Sequence, residues 1–301
     1  MIEVVDPGRW TTIQDRGRAG FERFGIPTGG AADWFAAAAA NRIVGNHQDA
    51  ALLEATVVGP RLQFDADAVV AVTGGQVDEH PGWKAITMLR GSKLTVGPVG
   101  PGIRTYIAVR GGLDVPIVLG SRSYCQRGTF GGGFGRPLVA RDRLAIGGMI
   151  DVDPMSEAWS EFHRLQARGP WEIRVIAGPQ EDAFPRAALE QLTATACRVT
   201  HEIDRMGLRL ETPGLRLQPD EILTAPTTAG AIQVTPSGGL IVLHVDHQTT
   251  GGYPVIATVI YADLPLLAQA RPGDTVRFRA VDPAEAARAA RRLTDWLHPE
   301  S

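Results

Sequence analysis

The sequence predicts a mostly β protein with a few helices, arranged as a barrel or a sandwich. Two observations carry that expectation. The 301 residues include 35 Gly and 21 Pro against only 6% aromatics, a composition suited to many short strands joined by tight turns. The apolar runs are also short, β-branched and bounded by turn residues, with no helix between successive runs as repeated βαβ units would require. The length admits two domains or one large one, with a full-sized core either way.

The elements follow in order. Thr11-Thr12-Ile13 is strand-like and leads into the polar cluster Gln14-Asp15-Arg16-Gly17-Arg18. A helix is expected over roughly 32–44, rich in alanine and closed by Gly45-Asn46. From 50 to 147 short strands recur at 52–54, 62–64, 69–72, 86–89, 94–96 and 106–109, split by Gly59-Pro60, Gly74-Gly75, Gly97-Pro98 and Gly100-Pro101-Gly102. Residues 148–170 lose this pattern and read as a linker with some helical character. Strands resume at 172–176 and end at 275–278, with a short helix at 263–270 and a terminal helix beginning at Asp282-Pro283. The expected organisation is an N-terminal β subdomain over 1–147, a linker over 148–170, a second β subdomain over 171–280 and a C-terminal helix over 281–301. Faint echoes between the halves, such as Asp15-Arg16-Gly17 and Asp204-Arg205-Met206-Gly207, raise the idea of duplication.

Composition narrows function by exclusion. A net charge of -3 argues against a nucleic-acid binder, and no apolar run is long enough to span a bilayer. The two cysteines, Cys125 and Cys197, show no metal-ligand spacing, and no charged and apolar leader opens the chain, so a reduced, cytoplasmic setting is expected. GxxxxGK[ST] and GxSxG are both absent, and the glycines from Gly128 to Gly135 do not spell GxGxxG. His244 and His247, placed on a strand, would face opposite ways and find no third partner, so no metal is expected.

What remains is a polar loop set between two buried strands, Leu240–Leu243 and Val255–Ile260. It gathers Asp246, His247, Gln248, Thr249, Thr250 and Tyr253 around Gly251-Gly252, where no Cβ would block a ligand. With Asp204-Arg205, and with Gln14-Asp15-Arg16 as a further contributor, the clusters suit an anionic or carbonyl substrate.

The segments TTIQDRGRAGFERFGIPTGGAADWFA, VRGGLDVPIVLGSRS, IDRMGLRLE and DHQTTGGYPVIATVI, in this order, resemble the biotin-dependent carboxyltransferase family. That family includes the C subunits of 5-oxoprolinases, proteins labelled allophanate hydrolase subunit 2, and urea amidolyase-related proteins. The resemblance covers about residues 2–280 and implies cyclophilin-like β-barrels. It implies a hydrolase component that opens 5-oxoproline to glutamate with ATP and Mg²⁺. Such a component works in a complex with a B-type partner, of the allophanate hydrolase subunit 1 kind, and a third, A-type partner, and is inactive without them. Two alternatives are a carboxyltransferase component of a biotin-dependent urea carboxylase and a regulator binding a kinase-inhibitor-like partner. Asp204, Arg205, Asp246 and His247 are then the catalytic candidates, with Gln248, Thr249, Thr250, Gly251, Gly252 and Tyr253, and Gln14, Asp15 and Arg16, binding substrate. One pocket at a barrel mouth would hold them, Arg205 gripping a carboxylate or phosphoryl oxygen, Asp246 orienting it or acting as a base, and Thr249 and Thr250 donating hydrogen bonds. The competing reading pairs Asp204 or Asp246 with an arginine to tie loops together.

Overall fold

The computed structural model describes residues 1–77, 82–148, 170–212 and 222–297. The expected linker and its helical stretch lie, over 149–169, outside the described residues. The chain divides into two compact units, Met1–Ala19 with Gly29–Arg168, and Gly20–Thr28 with Gly169–Ser301. The main division, between Arg168 and Gly169, falls within the stretch 148–170 read as a linker, and the short N-terminal segment 20–28 groups with the C-terminal unit.

The first unit is two antiparallel sheets. One contains β2 (Trp10–Gln14), β3 (Leu52–Thr56), β8 (Arg104–Val109), β5 (Ala68–Gly74) and β6 (Ala85–Met88), in that order. The other contains β7 (Lys93–Pro98), β4 (Val58–Phe64), β1 (Ile2–Asp6) and β9 (Arg143–Leu144). The chain passes from one sheet to the other at Val57, held at φ +68 between β3 and β4. Inward residues of both sheets, among them Ile2, Val4, Leu53, Leu62, Phe64, Val70, Leu94 and Ile107, form one apolar core.

Helix α1 (Trp34–Ile43) packs on β5 and β8. Asp33 caps it by accepting from the Ala36 N–H at 2.8 Å. Gly45 at φ +76 ends it, with the Gly45 N–H on Arg42 O and the Asn46 N–H on Asn41 O, which satisfies two terminal carbonyls. The alanine run is a packing surface: Ala36, Ala39 and Ala40 are fully buried.

The second unit contains a closed barrel in the order β10 (Trp171–Ala177), β17 (Val255–Val259), β14 (Ala231–Val234), β15 (Leu240–Leu243), β12 (Gly207–Glu211), β11 (Ala196–Ile203) and β18 (Thr275–Ala280). The parallel pairing of β10 with β18, from Trp171↔Val276 to Val175↔Ala280, closes the ladder and removes both edges. Alternate residues point in: Ile173, Val175, Val199, Leu208, Leu210, Ile232, Val242 and Phe278 fill the interior. Helices α2 (Ala188–Ala194), α3 (Leu264–Gln269) and α4 (Pro283–Leu297) complete the unit, α4 burying Ala289, Leu293 and Leu297.

Candidate functional site

The barrel interior is packed with apolar side chains, so a ligand has room only outside it. The concave site lies on the outer face. Arg209, Ile241 and Gln233 form one register row across β12, β15 and β14, pointing away from the filled interior. Above this row rise the turn after β11 and the loop after β15. Together they enclose about 420 Å³, also lined by His201, Asp204, Met206, Leu243, Gln248 and Tyr253.

Of the candidates read from sequence, Asp204, Gln248 and Tyr253 line this cavity. Asp204 Oδ1 accepts from the N–H groups of Met206 and Gly207, at 2.7 and 3.1 Å, which shapes the turn between β11 and β12. Gln248 Nε2 donates to Gln233 Oε1 at 3.3 Å, and Gln233 Nε2 donates to the Tyr253 carbonyl at 3.3 Å.

Arg205 and Asp246 are behind that surface. Arg205 Nε donates to Asp246 Oδ2 at 2.8 Å and Nη2 to Oδ1 at 3.1 Å, with the two side chains only 4% and 2% exposed. The fork assigned from sequence to a substrate oxygen is closed here on a carboxylate of the same unit. His244 and His247 sit in a turn, the His247 N–H bonding to His244 O at 3.1 Å, and not on a strand as expected.

His247 is 7% exposed, and burial pushes its pKa below 6.5, against the opposing pull of a hydrogen bond to the Gln248 carbonyl and the charges of Asp246 and Glu22. Its Nδ1 lies 2.7 Å from Gln248 O, which can only accept, so Nδ1 carries the proton and Nε2 is the basic nitrogen. Glu22 comes from the 20–28 segment. It accepts from Thr28 Oγ1 at 2.7 Å and from the Gly20 N–H at 2.8 Å, and Thr28 foremost holds its pKa below the ordinary glutamate value.

Thr249 and Thr250 act mainly through their backbones. Thr249 O accepts from the Thr227 N–H, and Thr250-Gly251 (β16) pairs with Ala225-Pro226 (β13) in a two-residue ladder. Gly252 is open, since a Cβ added there would come no nearer to its surroundings than 3.8 Å, at Thr224 Oγ1, whereas Gly251 is tight against Gln233.

The remaining candidates belong to the first unit. Asp15 is a hub: Oδ1 accepts from Ser121 Oγ and Ser123 Oγ, each at 2.6 Å, and from the Gly17 N–H at 2.8 Å, while Oδ2 accepts from the Arg122 N–H at 2.5 Å. Gln14 is fully buried, its Nε2 on Thr12 Oγ1 at 3.0 Å, and Arg16 is exposed, 3.4 Å from Asp49. The glycine-rich run is packed loop: a Cβ on Gly131, at φ +75, would fall 2.2 Å from Ser123 O. Residues that sequence reading missed are Gln233, His201 and Arg209. Gln233 carried a signal, as the one polar side chain in the β14 stretch Ala231–Val234.

The comparisons with known proteins agree with this architecture. The family model described as carboxyltransferase domain, subdomain A and B, matches residues 24–280. This chain belongs to that family. It is 36% identical to the 5-oxoprolinase C subunit of Escherichia coli (strain K12), over 96% of this chain and 94% of the relative. The corresponding protein of Haemophilus influenzae is also 36% identical, over 99% and 96%. Urea amidolyase of Saccharomyces cerevisiae is 32% identical over 92% of this chain, which spans only 16% of that enzyme. Among solved structures, Kluyveromyces lactis urea carboxylase superposes with a TM-score of 0.89 at 30% identity, over 99% of this chain and 29% of that one. Among the described residues no helix is long and apolar enough to cross a membrane.

Proposed function

We propose that this chain is the C subunit of an ATP-dependent 5-oxoprolinase, opening the lactam of 5-oxoproline to glutamate with a B-type and an A-type partner, in the cytoplasm. The observation that carries the reading is mutual coverage, since the match spans 94% and 96% of the two 5-oxoprolinase relatives. The outer-face cavity supports it, being large enough for a small ring compound and lined by carboxamides and ionisable groups.

ATP and Mg²⁺ belong to the assembled complex, where they supply phosphoryl activation of the lactam oxygen. The general-base candidate of this chain is His247, which does not line the cavity but directly precedes Gln248 of its wall, and whose Nε2 is the basic nitrogen that would take the proton of the attacking water as the ring C–N bond opens. Arg205 and Asp246 position the turn that carries His247. Gln233, Gln248 and Tyr253 form the binding wall. The same reading divides the chain into 1–147, 148–170, 171–280 and 281–301 as its working segments, with Gly20–Thr28 lent to the third.

The test is reconstitution. The purified chain is expected to be inert alone and to turn over 5-oxoproline with ATP once its B-type and A-type partners are added. Turnover by the isolated chain, or none in the complete complex, overturns the proposal. A second reading, the carboxyltransferase component of a biotin-dependent urea carboxylase, draws on the 0.89 superposition. Inhibition by avidin and urea-stimulated turnover would select it. Tight complex formation without any turnover would select the regulatory alternative.

A further inference from the structure

The cavity holds two side-chain carboxamides in series, and neither is fully used by the protein. Gln233 sits in mid-strand, 1% exposed, beside Ile241 of β15 and Val255 of β17. An apolar side chain there would simply extend the surface of Ile241 and Leu243. Burying an amide instead is unfavourable unless its groups find partners. Among the described residues Gln233 and Gln248 each have one N–H bond to a protein acceptor and one N–H without, and Gln248 Oε1 takes no protein donor.

Gly251 fits the same picture. It has no left-handed φ to require glycine, yet a Cβ there would fall 2.7 Å from Gln233 Nε2 and 3.4 Å from Gln248 Nε2. Glycine at 251 leaves the two carboxamides the space they occupy at the floor of the cavity.

We propose that Gln233 and Gln248 read a planar cis-amide, a group presenting N–H beside C=O, as in a lactam or a cyclic urea. The ligand N–H donates to Gln248 Oε1, and its C=O accepts the unused N–H groups of the pair. Ile241, Leu243 and the Tyr253 ring cover the hydrocarbon part. This rests on the 5-oxoprolinase reading for which lactam is physiological, while the recognition chemistry is shared with ureido compounds.

The test is binding to the full chain by calorimetry and by side-chain amide NMR, with 5-oxoproline, 2-imidazolidinone and proline as probes. The lactam and the cyclic urea are expected to bind and to shift the Gln233 and Gln248 NH₂ signals, whereas proline, lacking the ring carbonyl, does not. Gln248→Leu is expected to weaken binding roughly tenfold or more, because a site built to hydrogen-bond loses its partner. Because the change also takes from the buried Gln233 Oε1 its Gln248 donor, a modest fall in thermal midpoint is expected, and binding is compared at a temperature where both proteins are folded by circular dichroism. Gly251→Ala should weaken binding in the same sense by displacing the amides. Absence of binding by both cyclic amides, or equal binding by wild type and Gln248→Leu, overturns the proposal. Should amides bind while the full complex never hydrolyses 5-oxoproline, the pocket stands and the functional reading falls. Should the complex turn over normally with Gln248→Leu, the pocket falls and the functional reading stands. Binding of 2-imidazolidinone alone supports the pocket and assigns it to a ureido ligand.

Discussion

Arg205 and Asp246 are joined three times: the guanidinium meets both carboxylate oxygens, at 2.8 and 3.1 Å, and the Asp246 N–H bonds to Arg205 O at 2.8 Å. With both side chains nearly inaccessible, removing one partner takes away the counter-charge of the other, and breaking such a buried pair costs about 3–5 kcal/mol. Asp246→Ala and Arg205→Met are each expected to lower the denaturation midpoint strongly. The double variant Arg205→Met/Asp246→Leu should recover much of the loss, since well-packed apolar residues replace such pairs at little net cost. An unchanged midpoint in Arg205→Lys together with lost turnover would return the fork to a substrate oxygen.

Asp15 poses the same question in the first unit. Its carboxylate accepts from two serine hydroxyls and two backbone N–H groups, charge-assisted bonds that fix the 121–123 stretch against the end of β2. Asp15→Asn, which keeps the size but replaces an acceptor by a donor, should destabilise by about 2 kcal/mol or more. Hydrogen exchange should locate the loosening at Gly17, Arg122 and Ser123. Loss of substrate affinity with exchange unchanged there would instead support direct binding.

Val57 is a β-branched residue at φ +68, a conformation that glycine adopts readily and valine does not. Its N–H bonds to Ile103 O at 2.8 Å and its carbonyl accepts the Val99 N–H at 2.9 Å, so the surrounding backbone imposes the geometry. The side chain is 43% exposed and contributes little burial. Val57→Gly should therefore raise the thermal midpoint, by about 1 kcal/mol of relieved strain. A drop in the midpoint would show that the corner is not strained.

Strands and helices were legible wherever pattern and punctuation coincided. Leu240–Leu243 and Val255–Val259 are uniformly apolar between turn residues, and α1 carries both an Asp33 cap and a Gly45 stop. β11 was not legible, because Ala196–Ile203 turns Cys197 and Val199 inward and Arg198 outward, then shifts register and exposes both His201 and Glu202, a mixed string that reads as polar. The echo between Asp15 and Asp204 has a local cause: each follows a strand and accepts N–H bonds from a residue two positions on, at 2.8 and 2.7 Å. The sheets built on them differ, so the likeness is one of turn chemistry. The site was half legible for a related reason. Loop residues announce themselves by composition, whereas Gln233 acquires its meaning only from strand register, and Glu22 only from a segment that joins the other unit. The buried network of Glu54, which accepts from the Ala32 N–H at 2.8 Å and from the Tyr106 hydroxyl at 3.0 Å, was hidden the same way. Burial there pushes the Tyr106 hydroxyl well above its usual pKa.

His247 gives the pH dependence. Burial holds its folded pKa below 6.5, so in the interval between that depressed value and 6.5 the unfolded chain binds the proton that the folded chain refuses. Its stability contribution is therefore complete above about pH 6.5 and is lost as the pH falls towards the folded value. Replacing the ring by His247→Gln should flatten this acid slope while leaving the neutral-pH midpoint comparatively unaffected. Glu22 and Asp246 oppose the depression, so Glu22→Gln should lower the His247 pKa further, read directly from the imidazole Cε1–H chemical shift during titration. In the reconstituted complex the acid limb of kcat/KM should move in the same direction, since a base with a lower pKa stays unprotonated to lower pH. A titration indifferent to Glu22 would detach the 20–28 segment from the electrostatics of this site, and an acid limb indifferent to it would remove His247 as the base.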